Sequence, residues 1–374
     1  MERRPGQREM QLAHARRDAS YDGVFCVGVR TTGIFCRPSC AARRPRPENV
    51  RYFATAEEAQ RAGYRACRRC RPLDVDGHPP PWVTRLLTSL ETEPDRRLSD
   101  AELRTWGVAP ARARRWFRRN FGMTFQAYQR TRRLEAARRE ISRGAELTGA
   151  GLRHGFDSLS GFRAAFERTF GKPPGRARET GCIHVDWLPS PIGPLLVGAT
   201  DAAVCLLEFG EVGGTALERQ APALRRCFGL PVVPGRNAHL RQLAAELREY
   251  FAGHRRSFDV PLICRGTPFQ EAVWAALQEI PYGQTICYEE LASRVGRPAA
   301  QRAVGLANGR NRIAIVIPCH RVVNKGGRLG GYGGGLWRKE FLLALERGQN
   351  APAAQDAAPA RRTAGSLPAA AGRR

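Results

Sequence analysis

The chain has almost no lysine. Among its 374 residues only Lys172, Lys325 and Lys339 carry that side chain, while arginine occurs 58 times. Acidic residues are also scarce, 35 against 61 basic ones, which leaves a net charge of +26. No apolar run approaches the ~18 residues that a membrane-spanning helix needs. The opening Met1-Glu2-Arg3-Arg4-Pro5 has no apolar stretch of the secretory kind. A reducing cytoplasm is the expected compartment. Eleven cysteines is an odd number, and their spacing is not that of a small disulfide scaffold.

An apolar content of 42% excludes a disordered chain, and the length suits two or three domains. The positive charge divides into about +7, +10 and +9 for residues 1–80, 81–180 and 181–374. Arginine bias alone would produce this. So would a polyanionic partner met by several domains, and double-stranded DNA is the obvious one. Pro72 and Gly77-His78-Pro79-Pro80-Pro81 read as a stiff linker. Residues 350–374, rich in Ala, Pro and Arg, read as a disordered tail.

Cys36-x3-Cys40 and Cys67-x2-Cys70 form two close pairs. Each pair can present two sulfurs from one turn, and together they suit one tetrahedral Zn²⁺. A segment of about 70 residues has a small core, so a structural metal makes physical sense. Residues 98–141 predict a helix-turn-helix, with Leu98–Trp106 as first helix. Pro110 opens a second helix carrying Arg112, Arg114, Arg115, Arg118 and Arg119. A second such unit is expected over 146–178. A helical linker with solvated arginine faces would leave the same pattern. Ala109 supplies no side-chain oxygen to cap the second helix.

The apolar, β-type run Ile313–Ile317 leads into Pro318-Cys319-His320-Arg321-Val322. A thiolate is the attacking form of cysteine, and an adjacent imidazole can generate it. Alone, that dipeptide does not separate a nucleophile from a buried structural cysteine. Cys182, Cys205, Cys227, Cys264 and Cys287 have no His neighbour in sequence and read as small hydrophobes, as does Cys26.

Longer motifs carry a resemblance. Val29–Cys40, Glu48-Asn49-Val50 and Cys67-Arg68-Arg69-Cys70 resemble the zinc domain of the bacterial Ada family. Residues 98–178 look like an AraC-type DNA-binding domain. Thr267–Gln270, Pro281–Ala292, Arg302–Gly305, Asn311–Val323, Gly330–Gly335 and Lys339–Glu346 resemble, in order and spacing, an O6-alkylguanine-DNA alkyltransferase. The fold implied is a multidomain α+β chain. It has a small zinc-binding α/β domain (1–78), an all-α double helix-turn-helix (82–179), a ribonuclease H-like subdomain (182–260) and a winged-helix-like active-site subdomain (261–349).

The resemblance also implies roles. Cys319 accepts an alkyl group from O6-methylguanine, activated by His320, which Glu346 polarises. Asn311 braces the turn. Arg302 fills the gap left by an extruded base, Tyr288 turns the phosphate, and Tyr332 and Val322 line the pocket. Cys36, a zinc ligand with Cys40, Cys67 and Cys70, accepts a methyl from DNA methylphosphotriesters. The protein is then a single-turnover methyltransferase and a methylation-dependent activator, meeting alkylated and promoter DNA and RNA polymerase as a cytoplasmic, nucleoid-associated monomer. A transcription factor with weak repair activity stays open, as does a repair protein without sequence-specific regulation. Gly333, where a serine is common, predicts a more mobile lid.

Overall fold

The computed structural model describes residues 5–73, 79–93, 96–210 and 216–348. Gly77-His78 of the predicted linker and the predicted tail lie outside the described residues.

Helix α1 (Gln7–Arg16) precedes strands β1 (Cys26–Val29), β2 (Ile34–Cys36) and β3 (Val50–Phe53), then helix α2 (Ala56–Arg61) and β4 (Arg65–Ala66). The sheet order is β3-β1-β2-β4, with β2 and β4 parallel. Phe25 and Val27 are buried on one side of this sheet with Tyr21 and Ala13, and Phe35 and Phe53 on the other. Gly28 is required where it stands: a Cβ there would lie 2.6 Å from the Phe53 ring and 2.9 Å from Tyr64.

Pro81, assigned to the linker from sequence, instead opens helix α3 (Pro81–Thr92). Proline pre-sets the helical φ, and its missing N–H is no loss at the first position. Helices α4 (Asp100–Thr105) and α5 (Pro110–Phe121) form the first helix-turn-helix, and α6 (Phe125–Ser142) leads to the second, α7 (Leu147–Arg153) and α8 (Leu159–Phe170). Ser99 and Glu102 make a full capping box on α4. Ala109 makes no capping bond to α5, as the sequence implies. Arg104 is exposed and sits in no core.

Strands β5 (Ile183–Leu188), β6 (Leu195–Ala199) and β7 (Val204–Phe209) are antiparallel neighbours. After helix α9 (Ala216–Phe228), β8 (Val232–Pro234) pairs with β5 in parallel. Helix α10 (Ala238–Phe251) covers the sheet from the side of Val197 and Leu207. The last segment holds α11 (Pro268–Gln278), β9 (Ile286–Cys287), α12 (Tyr288–Arg294), α13 (Gln301–Gly309), β10 (Val322–Val323) and α14 (Leu336–Glu346).

The first helix-turn-helix and the β5–β8 sheet share one hydrophobic core. Leu103, Phe117, Phe121 and Tyr128 pack in the same cluster as Ile183, Val185, Leu206 and Leu224. Trp187 Nε1 donates to Asn120 O at 3.1 Å across that junction.

The run Ile313–Ile317 is not a strand. Only Ile313 makes a bridge, to Leu207, and Ile315 sits at φ 70°. All five residues are buried, so the apolar run reflects burial rather than a pleated ladder.

Candidate active site and metal centre

The sheet register creates the cysteine cluster. Ile34 faces Arg65 and Phe35 faces Ala66 in the parallel pair, and Cys67 N donates to Phe35 O at 2.9 Å. The next residues along both strands are therefore Cys36 and Cys67, side by side. Two tight turns add Cys40 and Cys70, and all four sulfurs lie within 4.8 Å of one another. Four ligands at 2.3 Å from a tetrahedral Zn²⁺ stand about 3.8 Å apart, so the cluster fits the ion. Interaction with the Cys40 and Cys70 thiols, then burial, pushes the Cys36 thiol up. Four sulfurs this close need a cation before all can ionise.

The backbone ties the loop down. Ser39 Oγ donates to Asp22 Oδ2 at 2.5 Å and Ser39 N to Asp22 Oδ1 at 3.1 Å. Arg37 N donates to Cys70 Sγ at 3.3 Å, and the Cys36 and Cys70 thiols, with the Ala42 N–H adding less, hold the Cys40 thiol down. Cys36 receives no such backbone donor among the described residues.

In the C-terminal segment, a short 3-10 turn at Cys319–Arg321 follows Pro318. Asn311 holds it: Asn311 Nδ2 donates to Ile317 O at 2.8 Å, and Ile313 N donates to Asn311 Oδ1 at 2.9 Å. The chain therefore turns sharply through Ile315 and delivers Cys319 to a buried position, 5% exposed. Burial pushes the Cys319 thiol up. The Asn311 and Tyr332 side chains and the Lys339 charge oppose that shift.

His320 is fully buried, with Nε2 2.9 Å from Glu346 Oε1. Glu346 accepts, so Nε2 carries the proton and Nδ1 is the basic nitrogen. Nδ1 is buried and meets no partner among the described residues. Burial lowers the His320 pKa although Glu346 opposes it, so the ring is neutral near pH 7. Burial pushes the Glu346 carboxyl up, but His320 and Arg321 outweigh it and hold the group well below its usual range.

Glu346 is engaged further. Arg321 Nε donates to Oε2 at 2.8 Å and Arg321 Nη2 to Oε1 at 2.9 Å. Tyr250 Oη donates to Oε1 at 2.8 Å, and Gly283 N donates to Oε2 at 3.2 Å. Gly283 has φ 78°, and a Cβ there would lie 2.9 Å from Glu346 O, so the Pro281-Tyr282-Gly283 turn needs glycine.

Lys339 is fully buried; its Nζ donates to Val322 O at 2.6 Å and lies 5.9 Å from the Tyr332 ring. Burial lowers its pKa to about 8. Val322 is buried beside it. The Tyr332 hydroxyl is buried, its ring edge-on to Phe209 at 5.7 Å. Burial, then the nearby Cys319, pushes up the hydroxyl of Tyr288 at the start of α12, and its ring lies 3.8 Å from where a Gly305 Cβ would stand. Arg302 is apart from this group, exposed on the first turn of α13.

The structure thus gathers Cys319, His320, Glu346, Asn311, Tyr332, Val322 and Tyr288, leaves Arg302 on the outer helix, and keeps Cys36 in its own centre. Sequence reading gave no role to Arg321, Tyr250 or Lys339. Lys339 carried a signal as a rare lysine in an arginine-rich chain, and Arg321 by its place in the Cys319-His320 motif; Tyr250 carried none. In the lid, Gly334 and Gly335 are crowded by Phe209 and Ser20, whereas a side chain at Gly333 would meet nothing within 4 Å.

Cys182 is a buried core residue, as its sequence context suggests, and it also meets a polar group. Cys182 does have a histidine partner, because strand alternation returns His184 to its own face. His184 Nε2 lies 3.6 Å from Cys182 Sγ and 2.9 Å from Glu135 Oε1. These three could hold a cation by spacing. However, the Glu135 carboxylate already accepts from Arg138 Nε at 2.6 Å and Arg139 Nε at 2.7 Å. Two guanidinium groups on one carboxylate repel a metal ion, so Glu135 is the centre of an ion-pair junction with Arg138 and Arg139, against which Cys182 and His184 pack.

Four family models match in chain order. They are the metal binding domain of Ada (9–73), a helix-turn-helix domain (104–180), and the ribonuclease-like (183–263) and DNA binding (268–348) domains of 6-O-methylguanine DNA methyltransferase. The chain is 35% identical to the bifunctional transcriptional activator/DNA repair enzyme Ada of Escherichia coli K12, over 88% of its own length and 93% of that protein. It belongs to the Ada family. The regulatory protein ada of Salmonella typhimurium is 34% identical over 90% of this chain and 96% of its own length. A methylated-DNA–protein-cysteine methyltransferase of Mycobacterium tuberculosis is 45% identical over 46% of this chain and 96% of its own. Ada-family membership agrees with the zinc-type cysteine cluster and the multidomain α+β architecture. No helix among the described residues is long and apolar enough to cross a membrane.

Proposed function

We propose that this chain repairs alkylated DNA by transferring methyl groups irreversibly to two of its own cysteines, and couples one transfer to transcription. The observation that carries the repair reading is the buried relay of Cys319, His320 and Glu346, with His320 Nε2 fixed at 2.9 Å from the carboxylate. That bond leaves Nδ1, which meets no protein partner among the described residues, to take the Cys319 proton through a water. The thiolate attacks the methyl carbon, the S–C bond forms as the C–O6 bond breaks, and the electron pair stays on guanine. The Tyr332 side chain eases ionisation of the Cys319 thiol, and its hydroxyl donates toward the leaving base, with Tyr288 as second donor. The O6 atom lies inside a stacked duplex, so the base must be extruded. Arg302, exposed on α13, then fills the vacated stack, and Tyr288 turns the backbone phosphate. Val322 lines the pocket, and Asn311 positions the nucleophile.

The second acceptor is Cys36. Zinc held by Cys36, Cys40, Cys67 and Cys70 keeps the sulfurs deprotonated at neutral pH. The Cys36 sulfur attacks the methyl of a phosphotriester and releases a phosphodiester. Exposure does not favour it: Cys36 is buried, Cys40 and Cys70 half-buried. Nucleophilicity does, because the Arg37 N–H damps Cys70 and no backbone donor reaches Cys36 among the described residues. Methylation removes one negative charge from the domain, so it binds DNA phosphates more tightly. The domains divide as 1–78, 82–179, 182–260 and 261–349. The exposed arginines of α5 contact promoter DNA, with RNA polymerase as the downstream partner. The protein acts as a cytoplasmic, nucleoid-associated monomer.

The test is Cys319→Ala on an oligonucleotide holding one O6-methylguanine. Loss of methyl removal supports the assignment, and retained removal sinks it.

A further inference from the structure

The zinc domain touches the lid of the alkyl pocket. After α1 the chain makes a 3-10 turn at Ala19–Tyr21. Ser20 O accepts from Trp337 Nε1 at 2.6 Å. The Trp337 side chain packs both against the zinc-domain cluster formed by Ala13, Tyr21, Phe25 and Val27 and against the core of the alkyltransferase segment. Gly335, at φ 89°, lies so close to Ser20 that a Cβ there would stand 2.2 Å from Ser20 Oγ. The lid is also gripped from below. Arg338 Nη1 donates to Gly334 O at 2.8 Å, and Arg338 Nε to Ile192 O at 2.7 Å. Gly335 N donates to Tyr332 O at 2.9 Å, so a shift at Gly335 is felt at Tyr332.

The same turn reaches the metal loop. Asp22, two residues beyond Ser20, holds Ser39 by two hydrogen bonds, and Ser39 lies between Cys36 and Cys40. A continuous track of bonded and packed groups therefore runs from the cysteine cluster through Asp22 and Ser20 to Trp337, Gly335 and Tyr332. Cys319 at its end is 5% exposed, and the Tyr332 hydroxyl over it is buried. In this arrangement the sulfur is closed to a guanine.

We infer that the 19–22 turn of the zinc domain is a docking surface for the lid 332–337 of the same chain, and that docking holds the alkyl pocket closed. Undocking, as the zinc domain engages DNA, frees the lid and admits the extruded base. By linkage, whatever favours the undocked domain also favours base entry. The inference rests on Cys319 being the alkyl acceptor.

Two variants of the full-length, zinc-loaded protein test it. Trp337→Phe keeps an aromatic ring and removes the N–H donor to Ser20. Ser20→Leu adds bulk against Gly335 and leaves every alkyltransferase residue unchanged. Hydrogen exchange is followed in peptides covering 18–22 and 332–337, and single-turnover methyl removal on an O6-methylguanine oligonucleotide. Both variants should exchange faster in both segments and transfer roughly two- to tenfold faster, the span of one net hydrogen bond. Unchanged exchange at the lid, or transfer no faster than the parent, overturns the inference. A parent chain that accepts no methyl at Cys319 instead sinks the assignment of that cysteine, and exchange alone then decides the docking.

Discussion

In the proposed alkyl site, Glu346 gathers the most hydrogen-bond donors. Its two oxygens accept from His320, Tyr250, Arg321 and the Gly283 amide. Glu346→Gln keeps the shape and removes the charge, so Nε2 of His320 loses its orienting anion. The transfer rate should fall roughly 10²-fold or more in single-turnover assays. Arg321 would be left buried without its counter-charge, at a cost of about 3–5 kcal/mol, visible as a lower thermal midpoint. The pH dependence follows from the shifts. His320 is depressed below 6.5, so the ring stays neutral and basic through pH 6.5, and the rate should decline only at lower pH. Stability moves the same way. Below pH 6.5 the unfolded chain takes up a proton at His320 before the folded one does. Below about 4.5 it does so at Glu346, so stability falls with falling pH in both windows. A flat thermal midpoint from pH 7 to 4 would contradict this. Cys319, His320, Asn311 and Glu346 were legible because they sit in motifs of fixed order. Tyr250 was not, since 96 positions separate it from its partner. Lys339 was quoted in a motif without a role. Its use here in place of arginine has a physical reason: a lysine's pKa can drop, here to about 8, whereas a guanidinium stays charged.

At the scale of elements, the metal centre is a product of the β2–β4 register. Each cysteine pair is local, so spacing alone revealed it. The strand pairing that brings the pairs together spans residues 34–66 and left no mark in the sequence. Residues 5–73 have two small hydrophobic clusters, so removal of zinc by a chelator should cost them their order. Exchange protection in 26–67 should collapse and Cys36 should accept no methyl, while Cys319 still reacts. Protection retained without metal would mean that the core alone suffices. The Ile313–Ile317 turn shows the opposite case. A fully buried apolar run looks the same whether it lies in a strand or in a turn, and only Asn311's two bonds decide it.

At the scale of the whole molecule, the helix-turn-helix is not a separate bead. Phe117 on α5 shares a core with Leu206 on β7, and Arg138 on α6 donates to Thr180 O at 2.6 Å beyond the last helix. The segment texture of the sequence suggested a boundary near residue 180. It could not reveal that apolar faces from both sides close on each other, because either face alone reads as the inside of its own domain. Phe117→Ala should therefore cost about 3–5 kcal/mol and loosen both α5 and β5–β7 in hydrogen exchange. Loss confined to the helices would show two independent units. The central claim is one chain with two single-use acceptors. Its most direct measurement is peptide mass mapping after the full-length protein meets DNA bearing both O6-methylguanine and a methylphosphotriester. One methyl on Cys36 and one on Cys319 are expected. A methyl on any other cysteine, or none on Cys319, would contradict it.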